Sequence, residues 1–573
     1  MAWFRAVANQ PDAEILDSAV IDEAHLGDIH GAFGSLRWRQ LWPVRTPRRR
    51  LLALATVMGP GVLALIADND AGGVATYAAG GRYRGTGLLW VLVPLGVVLF
   101  LNQEMAARLG VVSGVGHARL IFERFGRLWG AFSLGDLLLL NVLTLVTEFI
   151  GVRIAAAHVG IPPEVAVGAA AAVLISATLF GGFRRWERTM YVLVAVNVLL
   201  VPLLLLIPHT SGQGPLPHAA APWAGGGFRS GVLLIVALLG TTVAPWQLFF
   251  QQSAVVDKRI TPRWMGYARF DTLVGTLLML AGAAAVMLVT ASAFSAGRGG
   301  QGGLQEVLAT VSSRLGASVG DVFALLLFDG ALLGAAALSM ATSYAIGDVT
   351  GARHSLHRSP REAPVFYAVT TLVVVATAGV VLLPGLPLGR TTALVQVLAG
   401  VLLPSSTVFL LLLCNDTAVL GPWSNAPWLN ALAATSVAGL LGLSAMLVVT
   451  TLFPAAPPVT AAVVIGALMS VGLLTVGIAG LLRRRRVRRL RTDSATTPNL
   501  AVVPPSAVAM RGRRGGGPAP LADDRAFWRT PPLEELRRPV WSMGRLVGMV
   551  ALRAYVVLCA VLLMVRLATR MWH

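Results

Sequence analysis

Apolar runs of roughly 20 residues recur along this chain from about residue 51 to residue 482, and a run of that length spans the hydrocarbon core of a bilayer. Hydrophobic residues make up 55% of the 573 residues and charged residues only 13%, whereas a soluble domain carries about 25% charge. The sequence therefore predicts an all-α polytopic membrane protein. The twelve predicted spans are 51–80, 86–107, 131–157, 163–182, 189–208, 229–255, 267–294, 319–347, 364–384, 391–414, 427–453 and 458–482.

Basic residues occupy every second connection between these spans, from Arg45–Arg50 before the first span to Arg483–Arg491 after the twelfth. Arginine-rich connections lie on the cytoplasmic side of a membrane. We therefore expect the protein in a prokaryotic-type cell membrane, with its N-terminus on the cytoplasmic side. The first 40 residues hold six acids and no long apolar core, which argues against a cleaved signal peptide.

The pattern divides the chain into five regions. They are a cytoplasmic N-terminal segment (1–50), a ten-span transport core (51–414), two additional transmembrane helices (427–482), a basic and partly disordered cytoplasmic tail (483–540) and a C-terminal hydrophobic helix (541–573). The run Val547–Ala568 fits a thirteenth span or an interfacial helix equally well. The net charge of +19 is concentrated at span ends and in the tail, which favours contact with anionic lipid over nucleic-acid binding.

Two spans are interrupted near their middles. Asp68 and Asp70 stand inside the first apolar run, followed by the pair Gly72–Gly73, and a charge at membrane depth costs at least about 2.5 kcal/mol. In the sixth run, Pro245 removes a backbone donor and clashes with the preceding turn. Paired interruptions in corresponding positions of two halves point to a transporter site. The spacing predicts inverted repeats of spans 1–5 and 6–10, with ordinary kinks in a helix bundle as the alternative.

A carboxylate beside freed backbone carbonyls makes a set of oxygen donors, which suits hard cations such as Mg²⁺, Ca²⁺ and Mn²⁺. An anionic substrate would instead prefer a cationic group or a helix N-terminus without a neighbouring acid. The breaks therefore predict a site for a divalent cation.

Several motifs resemble signatures of the NRAMP family of divalent-metal transporters and occur in the family's order. They are "GPGVLALIADNDAGGVATYAAGG" in span 1, "QEMAARLG" (Gln103–Gly110), "TEFIG" (Thr147–Gly151), "RFDTLVGT" (Arg269–Thr276) and "QVLAGVLLP" (Gln396–Pro404). The resemblance covers about residues 50–480. It implies a LeuT-like inverted repeat with broken helices 1 and 6 and extra C-terminal spans.

The departures from the family pattern concern the ligands. Gly73 replaces the asparagine of the family's Asp-Pro-Gly-Asn motif, and Ala244 replaces the methionine of Met-Pro-His-Asn in span 6. A thioether selects softer transition metals, whereas Mg²⁺ requires oxygen donors and keeps several waters. The pattern resembles the NRAMP-related magnesium transporters, which move Mg²⁺ and Mn²⁺.

Other departures concern the family's proton route. Leu145 stands where the family has an aspartate, and Trp246 and Gln251 stand where span 6 has histidines. Span 9 (364–384) lacks the arginine pair that the family often has. Their joint loss implies that metal movement is not coupled to protons, with proton-coupled Mn²⁺/Fe²⁺ transport as the alternative.

The resemblance also implies which residues form the metal site. Asp70 is the expected ligand, directly or through water, and Ala67 and Thr241 offer carbonyl oxygens. Gln247 and Gln396 are expected to hydrogen-bond the ion's waters, while Gly73 and Ala244 occupy the two altered ligand positions. Asp68 is expected either as a charge on the entry path or, equally, as the partner of a nearby arginine. Glu148 is expected along the pathway, and the Trp246 ring is expected to pack beside the site.

Two further classes remain open beside cation transport. An organic-substrate transporter of the same fold, for amino acids for example, is the second. A membrane enzyme is the third, but the sequence shows no catalytic constellation, nucleotide loop or histidine-rich zinc cluster, so we expect no enzyme and no resident cofactor. The two cysteines, Cys414 and Cys559, both lie in apolar runs, which excludes a disulfide scaffold. The sequence leaves the oligomeric state open.

Overall fold

The protein was analysed as a computed structural model. The structure describes residues 18–37 except 21, then 46–206, 227–294, 303–452, 457–475 except 458, 524–539 and five residues between 549 and 557. The arginine cluster 483–491, the expected disorder near 495–520 and most of the run 547–568 lie outside these ranges.

The described chain is almost entirely helical. The exception is a hairpin of two antiparallel strands, β1 (Ile29–Gly31) and β2 (Gly34–Leu36). The first nine helices are α1 (Pro47–Val57), α2 (Pro60–Ile66), α3 (Ala71–Arg84), α4 (Leu92–Ser113), α5 (His117–Phe125), α6 (Arg127–His158), α7 (Pro163–Leu206), α8 (Gly227–Thr242) and α9 (Pro245–Asp257). The rest are α10 (Met265–Ala293), α11 (Leu304–Leu315), α12 (Ala317–Thr350), α13 (Pro364–Val381), α14 (Leu388–Cys414), α15 (Thr417–Leu420), α16 (Pro427–Leu452), α17 (Val459–Thr475) and α18 (Asp524–Phe527).

Helices lie at the positions of the twelve predicted spans, although fewer of them are long enough to cross a membrane on their own. Among the described residues, eight helical stretches are long and apolar enough to cross a membrane. Two of the eight hold more than one predicted segment: 71–113 joins the second half of span 1 to span 2, and α7 joins spans 4 and 5 through a kink at Gly182 (φ 58°). Span 6 is divided between α8 and α9, and span 12 corresponds to α17. The protein is thus an all-α multi-pass membrane protein.

The start of span 1 differs from the expectation of one apolar helix beginning at Leu51. Helices α1 and α2 meet at an angle of 51°, because Gly59 adopts φ 147° and Pro60 starts a new helix. Leu51 is 68% exposed, whereas Ala53 and Val57 are fully buried in the core, so only one face of α1 packs on the bundle. The half-helix α2 is therefore flanked by non-helical backbone at both ends, at residues 58–59 and 67–70.

Close helix contacts depend on small residues around α10, which packs against both halves of span 1. A Cβ on Gly81 of α3 would lie 2.2 Å from the carbonyl oxygen of Met287, and one on Gly275 would lie 2.9 Å from that of Gly61. Small residues at such contacts let helix backbones approach closely inside a membrane. These contacts fix the two halves of span 1 against one straight helix.

Part of the predicted tail packs on the helix bundle. Thr530 Oγ1 donates to the carbonyl of Val419 at 2.7 Å, and the Thr530 carbonyl accepts from the Ala19 amide at 2.9 Å. Arg124 Nη1 donates to the carbonyl of Arg537 at 2.9 Å. Residues 524–539 therefore join the N-terminal segment to the ends of several helices, which the composition of the tail did not indicate.

We expect Gly81→Val to destabilise the protein, because the added side chain must displace the backbone of α10. Overpacking of a well-packed contact costs about 1–3 kcal/mol. Thermal unfolding in detergent measures the effect. Gly135→Val is the matched control, since a Cβ on Gly135 of α6 would meet nothing within 4 Å. Equal unfolding temperatures for the two variants would contradict this account of the α3–α10 contact.

Candidate functional site

The first break, residues 67–70, is created by side chains that replace backbone acceptors. Asp70 is the N-cap of α3, and its Oδ1 accepts from the Gly73 amide at 2.6 Å. Glu148 of α6 accepts from the Ala71 amide through Oε2 at 3.0 Å. Aspartate is a favoured N-cap, and anions are stabilised at a helix N-terminus. The chain can therefore begin a new helix in mid-membrane.

The second break, residues 243–244, lies between α8 and α9 and follows the same logic. Pro245 occupies the first position of α9, and the side chain of Gln247 accepts from the Ala244 amide at 3.2 Å. Proline is well tolerated at this position because its missing N–H would have no partner there. Span 6 thus resumes as α9 without an acidic side chain to cap the new helix.

Each break frees carbonyl oxygens, among them those of Ala67 and Thr241. The usual donor to Ala67 is the Ala71 amide, which binds Glu148 instead, and the usual donor to Thr241 would be residue 245, which is proline. Within the described chain, no hydrogen bond reaches either carbonyl. Ala67 and Thr241 therefore present carbonyl oxygens without a hydrogen-bond partner among the described residues.

Side chains of α3, α8 and α14 close around the two breaks. Tyr77 of α3 hydrogen-bonds Thr242 of α8 through their hydroxyl groups at 3.0 Å. A Cβ on Gly72 would lie 1.8 Å from Gln396 Nε2 of α14 and 3.4 Å from Asp70 Oδ1. Gln396 thus lies against the first break. Both breaks and α14 form one buried site.

Glu148 lies close to Asp70, where both residues face α12. A Cβ on Gly334 of α12 would lie 2.9 Å from Asp70 Cβ and 3.1 Å from Glu148 Oε2, and the two carboxyl groups are at hydrogen-bonding distance. Glu148 is therefore part of the site itself and not only of a pathway leading to it.

The site carries three buried carboxyl groups without a basic partner. Asp68, Asp70 and Glu148 are at most 4% exposed, and no ion pair between described residues involves them. Both oxygens of Asp68 lack any hydrogen-bond partner in this part of the chain. Buried carboxylates of this kind must be neutralised by protons or by a bound cation. The arrangement can therefore bind a cation.

The setting of Gln247 differs from the predicted one. Gln247 was expected to hydrogen-bond the ion's waters, but its Oε1 already accepts from the Ala244 amide and from Gln103 Nε2 at 3.1 Å. Only its Nε2 lacks a partner among the described groups, and an N–H group does not accept a bond from a metal-bound water. Gln247 thus shapes the break.

Gly73, Ala244 and Trp246 line or support the breaks without offering donors. A Cβ on Gly73 would lie 2.4 Å from the Asp68 carbonyl oxygen, so this backbone leaves no room for an asparagine. Ala244 is the N-cap of α9 and presents only a methyl group. The Trp246 ring is completely buried. Sequence reasoning missed Gln103, Tyr77 and Thr242, although polar residues inside apolar runs were the available signal.

Broken helices that meet at a buried, oxygen-rich site define the chain as a membrane transporter. The family model described as natural resistance-associated macrophage protein-like matches residues 61–450. The chain belongs to this Nramp family, whose members are transporters and not enzymes.

Individual relatives extend the comparison. A protein of Burkholderia ambifaria named divalent metal cation transporter MntH is 27% identical over 417 residues, covering 70% of this chain and 90% of its own. One of the same name from Mycobacterium tuberculosis is 28% identical over 381 residues, covering 64% and 85%. The solved structure of the Eremococcus coleocola manganese transporter shares the fold, with a TM-score of 0.55 at 20% identity over 78% of this chain and 98% of that one.

We expect Asp70→Ala to abolish stabilisation of the protein by divalent cations. A ligand at 100 times its dissociation constant stabilises the native state by about 2.7 kcal/mol, so Mg²⁺ or Mn²⁺ should raise the unfolding temperature of the wild type only. Asp136→Ala is the control, since Asp136 is a half-buried acid of α6 that accepts a hydrogen bond from Ser405 Oγ away from the breaks. An unchanged cation response in the folded Asp70 variant would exclude Asp70 as a ligand.

Proposed function

We propose that this protein moves a divalent cation, Mg²⁺ and also Mn²⁺, across the cell membrane without coupling to protons. The ion is bound, partly hydrated, between the two breaks, and the N-terminus is cytoplasmic. The observation that carries the proposal is the set of unpartnered oxygens on Asp68, Ala67 and Thr241 around Asp70.

The donor set supports a hard cation. Carboxylate and carbonyl oxygens suit Mg²⁺ and Mn²⁺, whereas a sulfur ligand would favour softer ions. At the two altered positions of the family motifs, Gly73 and Ala244 contribute no side-chain donor. The relatives named as divalent metal cation transporters support the coarser part of the proposal, a divalent metal.

The small residues also support a hydrated ion. Mg²⁺ dehydrates reluctantly and usually keeps several waters. Ala244 occupies the position where the family has a longer methionine, so the second break leaves volume beside the ion. The side chain of Gln396 lies against the first break with its Nε2 next to Gly72, and this N–H group donates hydrogen bonds rather than accepting one from a metal-bound water.

Uncoupled movement is supported by the residues around the site. Leu145 lies one turn before Glu148 on α6 and cannot titrate, and neither can Trp246 or Gln251 on α9. Gln251 donates to Thr272 Oγ1 at 2.8 Å. The contact between Asp70 and Glu148 favours the alternative, proton-coupled transport of Mn²⁺ or Fe²⁺, because two touching carboxyl groups can share a proton that a cation would displace.

Flux measured together with internal pH separates the two mechanisms. In proteoliposomes holding an internal pH dye, we expect Mg²⁺ uptake without acidification of the lumen. An inside-negative potential should accelerate uptake, because two charges gain about 4.6 kcal/mol per 100 mV. Acidification that scales with Mn²⁺ flux at clamped voltage would establish the proton-coupled alternative.

We expect Ala244→Met to shift selectivity from Mg²⁺ towards Mn²⁺ and Cd²⁺. The thioether adds a donor that Mn²⁺ and Cd²⁺ can use and occupies volume that a hydrated Mg²⁺ needs. Mg²⁺ transport should fall clearly, while Cd²⁺ binding should rise only modestly because Gly73 supplies no further ligand.

Competition of Cd²⁺ and Mn²⁺ against Mg²⁺ in matched vesicles measures this shift. Ala172→Met is the control, since Ala172 is exposed on the outer surface of α7. An unchanged competition ratio in folded Ala244→Met protein would mean that residue 244 does not face the ion.

A further inference from the structure

Lys258, the only lysine of the chain, joins the two broken helices to each other. It follows α9 directly, its side chain is completely buried, and its Nζ donates to the carbonyl of Met58 just before α2. The same Nζ forms an ion pair with Glu187 of α7. These ends of α2 and α9 lie on the side where the arginine-rich connections place the cytoplasm.

Two acids hold the beginning of α2 in this position. Asp271 of α10 accepts from the amides of Gly59, Gly61 and Val62 at 3.0, 2.6 and 3.1 Å, and Glu187 pairs with Lys258. Gly59 has φ 147°, and a Cβ there would lie 2.4 Å from Glu187 Oε1 and 2.8 Å from Lys258 Nζ. The glycine is thus required by both the backbone and the ion pair.

The N-terminal hairpin covers this network. The amide of Ala32, in the turn between β1 and β2, donates to Glu187 Oε2, while Arg188 Nε donates to the Ala32 carbonyl at 2.9 Å. Arg259 Nε donates to the Ala24 carbonyl at 2.8 Å. The hairpin therefore seals the ion pair from water on the cytoplasmic side.

We propose that Lys258, paired with Glu187, is the latch of a cytoplasmic gate formed by the half-helices α2 and α9. The proposal rests on the transport function proposed above, which requires the ion site to open to each side in turn. With the latch closed, the cytoplasmic halves of both broken helices are tied together; opening separates Met58 from Lys258.

The free energy of a buried ion pair suits a contact that opens and closes better than one that stays closed. Such a pair is held strongly while water is excluded, because an unpaired buried charge is costly. When the hairpin lifts and water enters, both charges are hydrated, and the pair costs little to separate. The non-helical residues 58–59 and 67–70 on either side of α2 allow this half-helix to move as a unit.

The test uses thiol labelling from each side of the membrane. With Cys414 and Cys559 replaced by alanine, Ala64→Cys places one reporter in the middle of α2, where Ala64 is fully buried. A membrane-impermeant maleimide is applied to inside-out and right-side-out vesicles. Lys258→Met should increase the cytoplasmic labelling rate at least tenfold without increasing labelling from the outside, and the apparent KM for external Mg²⁺ should rise severalfold.

Two further variants guard the interpretation. Arg119→Met is the matched control, because it breaks an ion pair with Glu123 on α5 at the surface and should leave labelling unchanged. The double variant Lys258→Met/Glu187→Gln removes the unpaired carboxylate and should still label rapidly from the cytoplasm, even if the single variant unfolds.

An unchanged labelling rate in the folded double variant, or equal increases from both sides, would overturn the latch. Failure of the proposed function is a separate result, in which the wild type neither transports Mg²⁺ or Mn²⁺ nor is stabilised by them. In that case the one-sided labelling change would still report that Lys258 closes the cytoplasmic side.

Discussion

The capping of α3 by two carboxyl groups is the contact on which the rest of the site depends. Asp70 and Glu148 accept from the first amides of this helix, so the backbone of residues 67–70 need not continue a helical ladder. The positive end of the helix dipole offsets part of their charge. Without these acceptors, a break in mid-membrane would leave amides unsatisfied, at a cost of several kcal/mol each.

The same capping hydrogen bonds determine which oxygen atoms of the site remain without a hydrogen-bond partner. Asp70 Oδ1 and Glu148 Oε2 are engaged by backbone amides, whereas both Asp68 oxygens and the carbonyls of Ala67 and Thr241 are not. Asp68 therefore keeps two oxygens without a hydrogen-bond partner in the buried region near Asp70, although the described residues contain no group of three or more Asp, Glu, His or Cys side chains arranged to hold a metal ion.

Sequence reasoning predicted the spans and both breaks, because apolar run length, Pro245 and an acid beside glycines act locally. It did not predict the bend at Gly59, the β hairpin or the packing of residues 524–539. The packing of residues 524–539 depends on pairs far apart in sequence, since Thr530 and Val419 are separated by 111 residues. The hairpin, which pairs residues only three to seven positions apart, and the bend at Gly59–Pro60 are local features that sequence reasoning overlooked. The role of Gln247 was also missed, since only geometry shows that its oxygen caps Ala244.

The two halves of span 1 are held by different sets of charges. The half α3 is fixed by Asp70 and Glu148 inside the membrane, and the half α2 is fixed by Asp271 and the Lys258–Glu187 pair at its other end. The ion proposed to bind between the two breaks has the carboxylates of the first set nearby and none of the second. Its binding therefore neutralises the site without involving the charges of the latch. This separation allows one bound ion to be exposed to either side of the membrane in turn.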